Sequence, residues 1–292
     1  MSDQFSLLKR FRPIYKLADL VPKGEKALVE NKTYKDSKLT PECFLFGLEE
    51  GYPGFVARVD KENSIVISFR GTDGLIDGIS NLQVQCIPFE YGGRVHKGFK
   101  NAFDSIKHKL ISGINKLTNN EKPKTFYIVG HSRGGAIATL AAAYIAREIS
   151  PEEIQVVTFG SPRVGNETFK KEYEKLIKES KIKHTRYEEF LDLIPHLPTT
   201  ASEKILYPRL GTIQENCSSL INMQIDNYCS VGERIIVDNY EDLSHNIPHE
   251  EKGGDSLNSF LAVERFFLGK DRLNNIKLIN KIHTDYEYPI KK

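Results

Sequence analysis

The sequence lacks any apolar run long enough to cross a membrane, and residues 1–12 lack the apolar stretch that a secretory signal peptide needs. It has only four cysteines, which lie far apart and do not show the spacing of a zinc site. Its formal net charge of +2 is too small for the basic surface of a nucleic-acid-binding protein. These absences predict a cytoplasmic protein with reduced thiols, no transmembrane segment, no metal, no cofactor and no nucleic-acid partner.

The residues that are present predict one α/β domain. The chain has 292 residues, of which 39% are hydrophobic and 27% are charged, as in ordinary globular proteins. Strand-like and helix-like segments alternate along it, which is typical of a parallel sheet flanked by helices. Strands are expected near residues 54–59, 64–69, 125–130, 154–159, 183–188 and 233–237, and helices near 98–117, 134–149, 166–180 and 256–268. We expect a single domain over residues 1–292 with a core at about 54–268, a helical cover in residues 1–40 and a C-terminal extension in residues 270–292.

The most informative pattern is a G-x-S-x-G sequence at residues 130–134, with Ser132 at its centre. Residues 125–129 before it are β-branched and aromatic, which predicts a buried strand. Residues 136–146 after it are rich in alanine, which predicts a closely packed helix. A strand, a sharp turn and a helix with serine at the turn form a nucleophile elbow. Ser132 is therefore the candidate nucleophile.

A serine nucleophile needs donors for the oxyanion that forms when it attacks a carbonyl. The expected strand at 64–69 runs into a tight turn at 70–74, where Thr72 could offer its backbone N–H. Arg133, directly after the serine, would offer a second N–H. On its own, the segment at 70–74 could equally be an ordinary turn that ends a strand.

The serine also needs a base and an acid that orients the base, and in α/β-hydrolases the acid and then the histidine follow the serine in the chain. Asp192 follows the expected strand at 183–188, at the end where open α/β sheets place their ligands. Glu188 and Glu189 are nearby alternatives for the acid.

Five ordered blocks together resemble the class 3 (fungal-type) lipase family of α/β-hydrolases. The blocks are V-I-S-F-R-G-T at 66–72, V-H-K-G-F-K-N-A-F at 95–103, G-H-S-R-G-G at 130–135, V-T-F-G-S-P-R-V-G-N at 157–166 and D-L-I-P-H-L-P at 192–198. The resemblance implies a mostly parallel sheet with helices on both faces. It also implies an acylglycerol lipase that cleaves carboxylic ester bonds through a Ser-His-Asp triad and an acyl-enzyme, with Asp192 as the acid. Its expected partners are a lipid ester substrate and, transiently, a lipid surface.

The chain departs from the family pattern in three places. Arg133 stands where leucine is usual, which places a cation near the pocket. Residues 77–82, where the family carries its lid, lack the usual tryptophan, so the lid's behaviour does not follow from the resemblance. The family's histidine opens the last helix, and the matching position here is Asp255. The loop before it contains His245 and His249, of which His249 is the preferred base because it lies closer to the helix.

These features leave two functional classes open. Ser132, Asp192 and the turn at Thr72 favour an active lipid ester hydrolase. Asp255 at the histidine position favours a catalytically weakened relative that binds lipid or a partner protein through the same pocket.

Overall fold

The computed structural model describes residues 2–21, 25–36, 39–45, 54–59, 63–71, 85–118, 123–179, 181–189, 192, 194–198 and 228–237. The strands are β1 (Leu39–Leu45), β2 (Gly54–Val59), β3 (Ser64–Phe69), β4 (Cys86–Pro88), β5 (Arg94–His96), β6 (Thr125–His131), β7 (Glu153–Phe159), β8 (Gly165–Asn166), β9 (Ile182–Glu189), β10 (Tyr228–Cys229) and β11 (Glu233–Val237). The helices are α1 (Ser2–Ala18), α2 (Glu25–Glu30), α3 (Lys32–Asp36), α4 (Lys97–Thr118), α5 (Arg133–Glu148) and α6 (Glu167–Lys178), and a short 3₁₀ helix spans Ile194–His196.

A mostly parallel sheet organises the fold. Its strand order among the described residues is β1-β2-β3-β6-β7-β9-β11. The strands from β3 onward are parallel, whereas β1 and β2 are antiparallel to their neighbours. At one edge of the sheet His131, Phe159 and Tyr187 are aligned in register. The segments that leave β6, β7 and β9 therefore start side by side.

Helices bury both faces of this sheet, because successive strand residues point to opposite sides. One face packs against α4, α5 and α6 through strand residues such as Val56, Ile67, Ile128 and Val156. The other face packs against α1 through their neighbours, such as Phe55, Val66, Val129 and Val157. Every residue of α5 from Gly134 to Ala146 is buried, and its alanines let the helix lie close to the strands.

A second, small sheet lies beside the first, with the order β10-β8-β5-β4 and antiparallel pairing. Its strands are two or three residues long. It connects the start of α4 to the start of α6, since β5 runs directly into α4 and β8 directly into α6.

The fold confirms the expected α/β class, with its mostly parallel sheet and helices on both faces. The expected strands at 54–59, 64–69 and 233–237 have the observed bounds, and the others differ by a residue or so at their ends. The helical cover of residues 1–40 is present as α1, α2 and α3, although β1 takes over from residue 39. The expected helix at 256–268 and extension at 270–292 lie outside the described residues. No helix in the described part of the chain is long and apolar enough to cross a membrane.

Candidate active site

Ser132 stands at a sharp turn between β6 and α5. Its backbone angles are φ 55° and ψ −129°, in a region that residues with a side chain rarely adopt. The turn is held by the Ser132 N–H, which donates to the Phe159 carbonyl at 2.8 Å, and by the Gly135 N–H, which donates to the Ser132 carbonyl at 2.8 Å. Strain of this kind costs on the order of 1–3 kcal/mol and concentrates at functional sites.

The hydroxyl of Ser132 does not cap helix α5, although Ser132 is the residue directly before that helix. Serine at the residue before a helix usually accepts a hydrogen bond from the first turn, yet Ser132 makes no such capping bond. Its Oγ is buried and has no hydrogen-bond partner among the described residues. Buried polar groups without a hydrogen-bond partner are uncommon in folded proteins, so this hydroxyl is a candidate for a functional role.

Three glycines make this turn sterically possible. A Cβ at Gly130 would collide with the Gly134 carbonyl, and one at Gly134 would collide with the Phe69 carbonyl. A Cβ at Gly135 would lie 2.7 Å from the Cβ of Ser161. The glycines of the sequence pattern therefore allow β3, β6 and α5 to approach each other around Ser132.

The two segments expected to supply oxyanion donors lie on either side of the serine. Arg133 is the first residue of α5, where backbone N–H groups have no acceptor within the helix. Gly71 follows β3 and lies against the elbow, since a Cβ there would be 3.0 Å from His131 Nδ1 and 3.3 Å from Ser132 Cβ. Thr72, the residue after Gly71, lies outside the described residues.

Asp192 lies just beyond β9 and is fully buried. Its N–H donates to the Glu189 carbonyl at 3.0 Å, and its Oδ1 accepts from the Ile194 N–H at 2.9 Å. These bonds fix the carboxylate at the start of the 3₁₀ helix, at the same edge of the sheet as Ser132. One strand separates their positions in the sheet, because β7 lies between β6 and β9.

The two alternative acids, Glu188 and Glu189, are both buried residues of β9. Glu188 lies within β9, and its carboxylate pairs with Arg186 at 2.8 Å and with Arg234 at 2.6 Å. This carboxylate therefore serves an ion-pair network between β9 and β11. Glu189 is the last residue of β9 and is also buried. Neither lies in the loop position that the family resemblance assigns to the acid.

The two histidines proposed as the base, His249 and His245, lie outside the described residues, as does Asp255.

A third histidine, His184, is buried in the middle of β9. It contacts the Thr158 hydroxyl at 3.3 Å and the Tyr173 hydroxyl at 3.1 Å. Burial, aided by the Arg186 cation, lowers the pKa of His184 to about 3, so its ring is neutral at pH 7. His184 precedes Tyr187 by three residues, which places it about 10 Å from the strand end. It braces α6 against the sheet.

His96 is a second buried histidine with a structural position. Its Nδ1 accepts from the N–H groups of Gly98 at 3.1 Å and Phe99 at 3.4 Å, so it caps the start of α4. Burial lowers the pKa of His96 to about 4. A capping Nδ1 places the ring proton on Nε2, and the neutral ring is therefore the form that the helix start requires.

Comparison with known proteins agrees with these features. Residues 66–202 match the family model for lipase (class 3). The secreted mono- and diacylglycerol lipase 1 of Fusarium solani is 33% identical over 126 residues, which cover 42% of this chain and 37% of that protein. A lipase of Rhizomucor miehei is 30% identical over 153 residues, covering 50% and 40%. The chain thus spans well under half the length of the curated relatives it matches.

Solved structures show the same architecture. Lipase II from Rhizopus niveus superposes with a TM-score of 0.60 and 21% identity, covering 68% of this chain and 76% of that one. A triacylglycerol lipase whose catalytic centre is a serine protease triad superposes with a TM-score of 0.58 and 23% identity, covering 68% and 76%. The fold of this chain is that of the α/β-hydrolases.

Proposed function

We propose that the protein is a serine hydrolase that cleaves carboxylic ester bonds of lipids, a proposal supported by the match of residues 66–202 to the class 3 lipase family model. The observation that carries the proposal is the state of Ser132. Its backbone is strained, its hydroxyl is buried, and that hydroxyl does not cap the helix that it precedes. A family match alone would be compatible with a serine that only completes the turn, whereas a strained residue with a buried, non-capping hydroxyl is typical of a functional site.

In the proposed reaction Ser132 Oγ attacks the ester carbonyl carbon and passes its proton to a histidine base. The oxyanion that forms is stabilised by backbone N–H groups of Arg133 and Thr72. The histidinium then protonates the leaving alcohol, and an acyl-enzyme remains on Ser132. Water, activated by the same histidine, attacks the acyl carbonyl and releases the fatty acid and the free serine. Asp192 orients the base and stabilises its cationic form.

The substrate class we propose is an acylglycerol, reached by transient contact with a lipid surface. The named relatives support it, since one is a mono- and diacylglycerol lipase and another structural neighbour is a triacylglycerol lipase. The cytoplasmic location and the single-domain organisation remain predictions from the sequence.

Fluorophosphonate labelling tests the nucleophile directly, because this reagent reacts with activated serines without requiring a known substrate. We expect one labelled serine in the wild-type protein and none in Ser132→Ala. Ser150→Ala is the matched control, since Ser150 also has a positive φ, of 48°, but lies exposed at the other end of α5. Labelling that persists in Ser132→Ala would contradict the assignment.

Activity against pH identifies the base. Wild-type hydrolysis of a p-nitrophenyl ester should rise through a group that titrates near neutrality. We propose His249 as that group, so His249→Ala should lose the activity, whereas His245→Ala should keep it. The opposite result would assign the base to His245, and full activity in both variants would remove both from the triad.

The weakened-relative reading remains a second candidate because Asp255 occupies the position of the family's histidine. A wild-type protein that neither hydrolyses esters nor reacts with fluorophosphonate, yet binds acylglycerol vesicles, would support this candidate over the hydrolase.

A further inference from the structure

Helix α1 lies across the sheet face opposite α5 and reaches the ends of three strands. The Ser68 hydroxyl, near the end of β3, donates to the Ile14 carbonyl of α1 at 3.2 Å. Tyr15 of α1 contacts the last residues of β6 and β7, and Asp19 in the turn after α1 contacts Arg70, which follows β3. The family match begins at residue 66, so this helix lies outside the matched region.

Tyr15 of α1 packs against the elbow itself. Its ring stacks on His131, the residue before Ser132, with 5.1 Å between ring centroids and an interplanar angle of 25°. It also contacts the Phe159 ring at 4.7 Å. Phe159 supplies the carbonyl that accepts the Ser132 N–H. One buried side chain thus supports both the residue that precedes the serine and the residue that anchors its amide.

Asp19, in the turn after α1, contacts the other side of the site. Its Oδ1 forms an ion pair with Arg70 Nε at 3.6 Å. Arg70 follows β3 and precedes Gly71, the residue that borders His131 and Ser132. Residues 15–19 therefore contact the segment at His131–Ser132 through Tyr15 and the segment at Arg70–Gly71 through Asp19.

Hydrolysis requires these two segments to keep a fixed mutual position. The attacking oxygen and the oxyanion donors must address the same carbonyl group, and a misplacement of about 1 Å can cost about a hundredfold in rate. One segment is the strained turn at Ser132, and the other is the stretch Arg70–Gly71 that follows β3. A helix that contacts both restricts their relative movement.

We propose that the C-terminal end of α1 sets the position of the nucleophile relative to the oxyanion donors, with Tyr15 and Asp19 as positioning residues for hydrolysis. This inference rests on the proposed serine hydrolase activity. It assigns a catalytic contribution to a helix that precedes the family-matched region.

The main test compares two substitutions on one face of α1. Tyr15→Leu removes the contact with His131, whereas Phe11→Leu removes the contact that Phe11 makes with the Tyr127 ring at 5.1 Å, one helical turn earlier. Phe11 and Tyr15 are both buried, so both variants should lose comparable thermal stability. The turnover number is measured per active site titrated with fluorophosphonate, which excludes unfolded molecules from the rate.

We expect Tyr15→Leu to lower kcat about tenfold with little change in KM, because misplacement affects the reacting atoms more than substrate binding. Phe11→Leu should stay within about twofold of wild type, and Tyr15→Phe should restore the wild-type rate because the ring is kept. Equal kcat values for Tyr15→Leu and Phe11→Leu would overturn the inference while leaving the hydrolase assignment intact. A wild-type protein without esterase activity or labelling would overturn both.

A second pair of variants keeps the test decisive if Tyr15→Leu fails to fold. The Asp19 side chain is 52% exposed, so Asp19→Asn should fold normally. We expect it to lower kcat about threefold, in line with the modest strength of a half-exposed ion pair. Glu30→Gln, which removes the exposed partner of Lys26 on α2, is the control and should leave kcat unchanged. An Asp19→Asn enzyme as fast as Glu30→Gln would contradict the role of Asp19.

Discussion

The two edges of the parallel strands have similar backbones and different side chains. At the edge where the strands begin, the Glu153 N–H donates to the Lys124 carbonyl at 3.1 Å. At the edge where they end, the Ser132 N–H donates to the Phe159 carbonyl at 2.8 Å. Both bonds extend the hydrogen-bonded ladder beyond the strands. The backbone hydrogen bonding between neighbouring strands is therefore similar at the two edges.

The polar side chains at these edges are placed very differently. At the first edge Glu153 pairs with Lys183 at 2.5 Å in contact with solvent, and the hydrogen bond from Lys183 lowers the pKa of that carboxyl group. At the second edge Ser132 and Asp192 are 1% and 0% exposed. Burying a hydroxyl and a carboxylate is unfavourable unless they gain partners. Asp192 gains such a partner in the Ile194 N–H, whereas the Ser132 Oγ has none among the described residues.

The two ends of α5 repeat this difference within one helix. Among the described residues, Ser132 and Ser150 are the non-glycine residues with a positive φ. The Ser150 N–H closes the last turn of α5 by donating to the Ile145 carbonyl at 2.9 Å, which is a common helix ending. Ser132 has a similar φ, but its ψ of −129° lies outside the left-handed helical region that helix ends commonly adopt. A positive φ is thus an ordinary helix ending at Ser150, whereas at Ser132 it belongs to the strained turn that holds the proposed nucleophile.

Replacement of each serine by glycine should give the largest contrast. Ser132→Gly and Ser150→Gly should both gain about 1 kcal/mol in free energy of unfolding, because glycine adopts a positive φ without strain. Only Ser132→Gly should lose ester hydrolysis, since it removes the proposed nucleophile. Urea unfolding and p-nitrophenyl ester turnover are the measurements. Comparable activity in the two variants would remove the distinction between the helix ends.

Substitution of one carboxylate at each edge should give the next largest effect. Asp192→Asn should lower kcat about 10⁴-fold with little change in KM, because an amide cannot stabilise the histidinium or hold the required tautomer. Glu153→Gln should leave kcat unchanged. Glu188→Gln is a further control, since it disturbs the ion pairs with Arg186 and Arg234 and should affect stability instead of turnover. If Glu188→Gln lost most of its kcat while Asp192→Asn stayed active, the assignment of Asp192 as the acid would be wrong.

A smaller effect should follow from a methyl group added beside the elbow. In Gly71→Ala the new Cβ would lie 3.0 Å from His131 Nδ1 and should displace the elbow slightly, lowering kcat by about tenfold. Gly98→Ala is a close steric match, because its Cβ would lie 3.1 Å from Cε1 of the His96 ring at the start of α4. This control should keep its turnover number. Equal rates in the two variants would show that the elbow tolerates crowding.

The weakest contrast concerns stability in acid. Burial lowers the pKa of His184 to about 3, so the unfolded chain, with a histidine pKa near 6.5, binds a proton that the folded chain does not. The contribution of His184 to the free energy of unfolding is fully present above pH 6.5. It decreases toward pH 3 by up to about 1.4 kcal/mol per pH unit. The lowered pKa of Glu153 acts only below its ordinary value of 4.5.

Urea unfolding between pH 6.5 and 5 separates these two groups. His184→Asn should lower the slope of stability against pH by about half, because His96 is buried with a lowered pKa and contributes in the same direction. Glu153→Gln should leave the slope unchanged in this range. An unchanged slope in His184→Asn would show that folding does not lower the pKa of His184.

The sequence predicted the elements whose residues carry a strong local pattern. The β-branched run of β3 and the glycines around Ser132 have steric consequences that no distant residue can change, so the strand and the elbow were predictable. The sequence analysis did not predict β1. This strand contains Pro41 and has an irregular register between Pro41 and Cys43, which obscures its pattern. The small sheet was missed because strands of two or three residues form no recognisable period.

The site was predictable to a similar, partial extent. The motif located Ser132, and the strand-end rule located the loop of Asp192, but nothing local in the sequence shows that β9 buries His184 or that α1 reaches His131. Such contacts depend on how distant segments pack. The choice between His249 and His245 remains a prediction, since both lie outside the described residues.

The strained backbone of Ser132 also determines how the protein would respond to selection. In a library sorted only for resistance to heat, Ser132→Gly would be enriched, because the change relieves strain and removes a buried hydroxyl. In a library sorted for turnover the same change would disappear in the first round. The residue found at position 132 after each sorting would therefore report which property had been selected, and stability engineering of this fold needs an activity screen at every step.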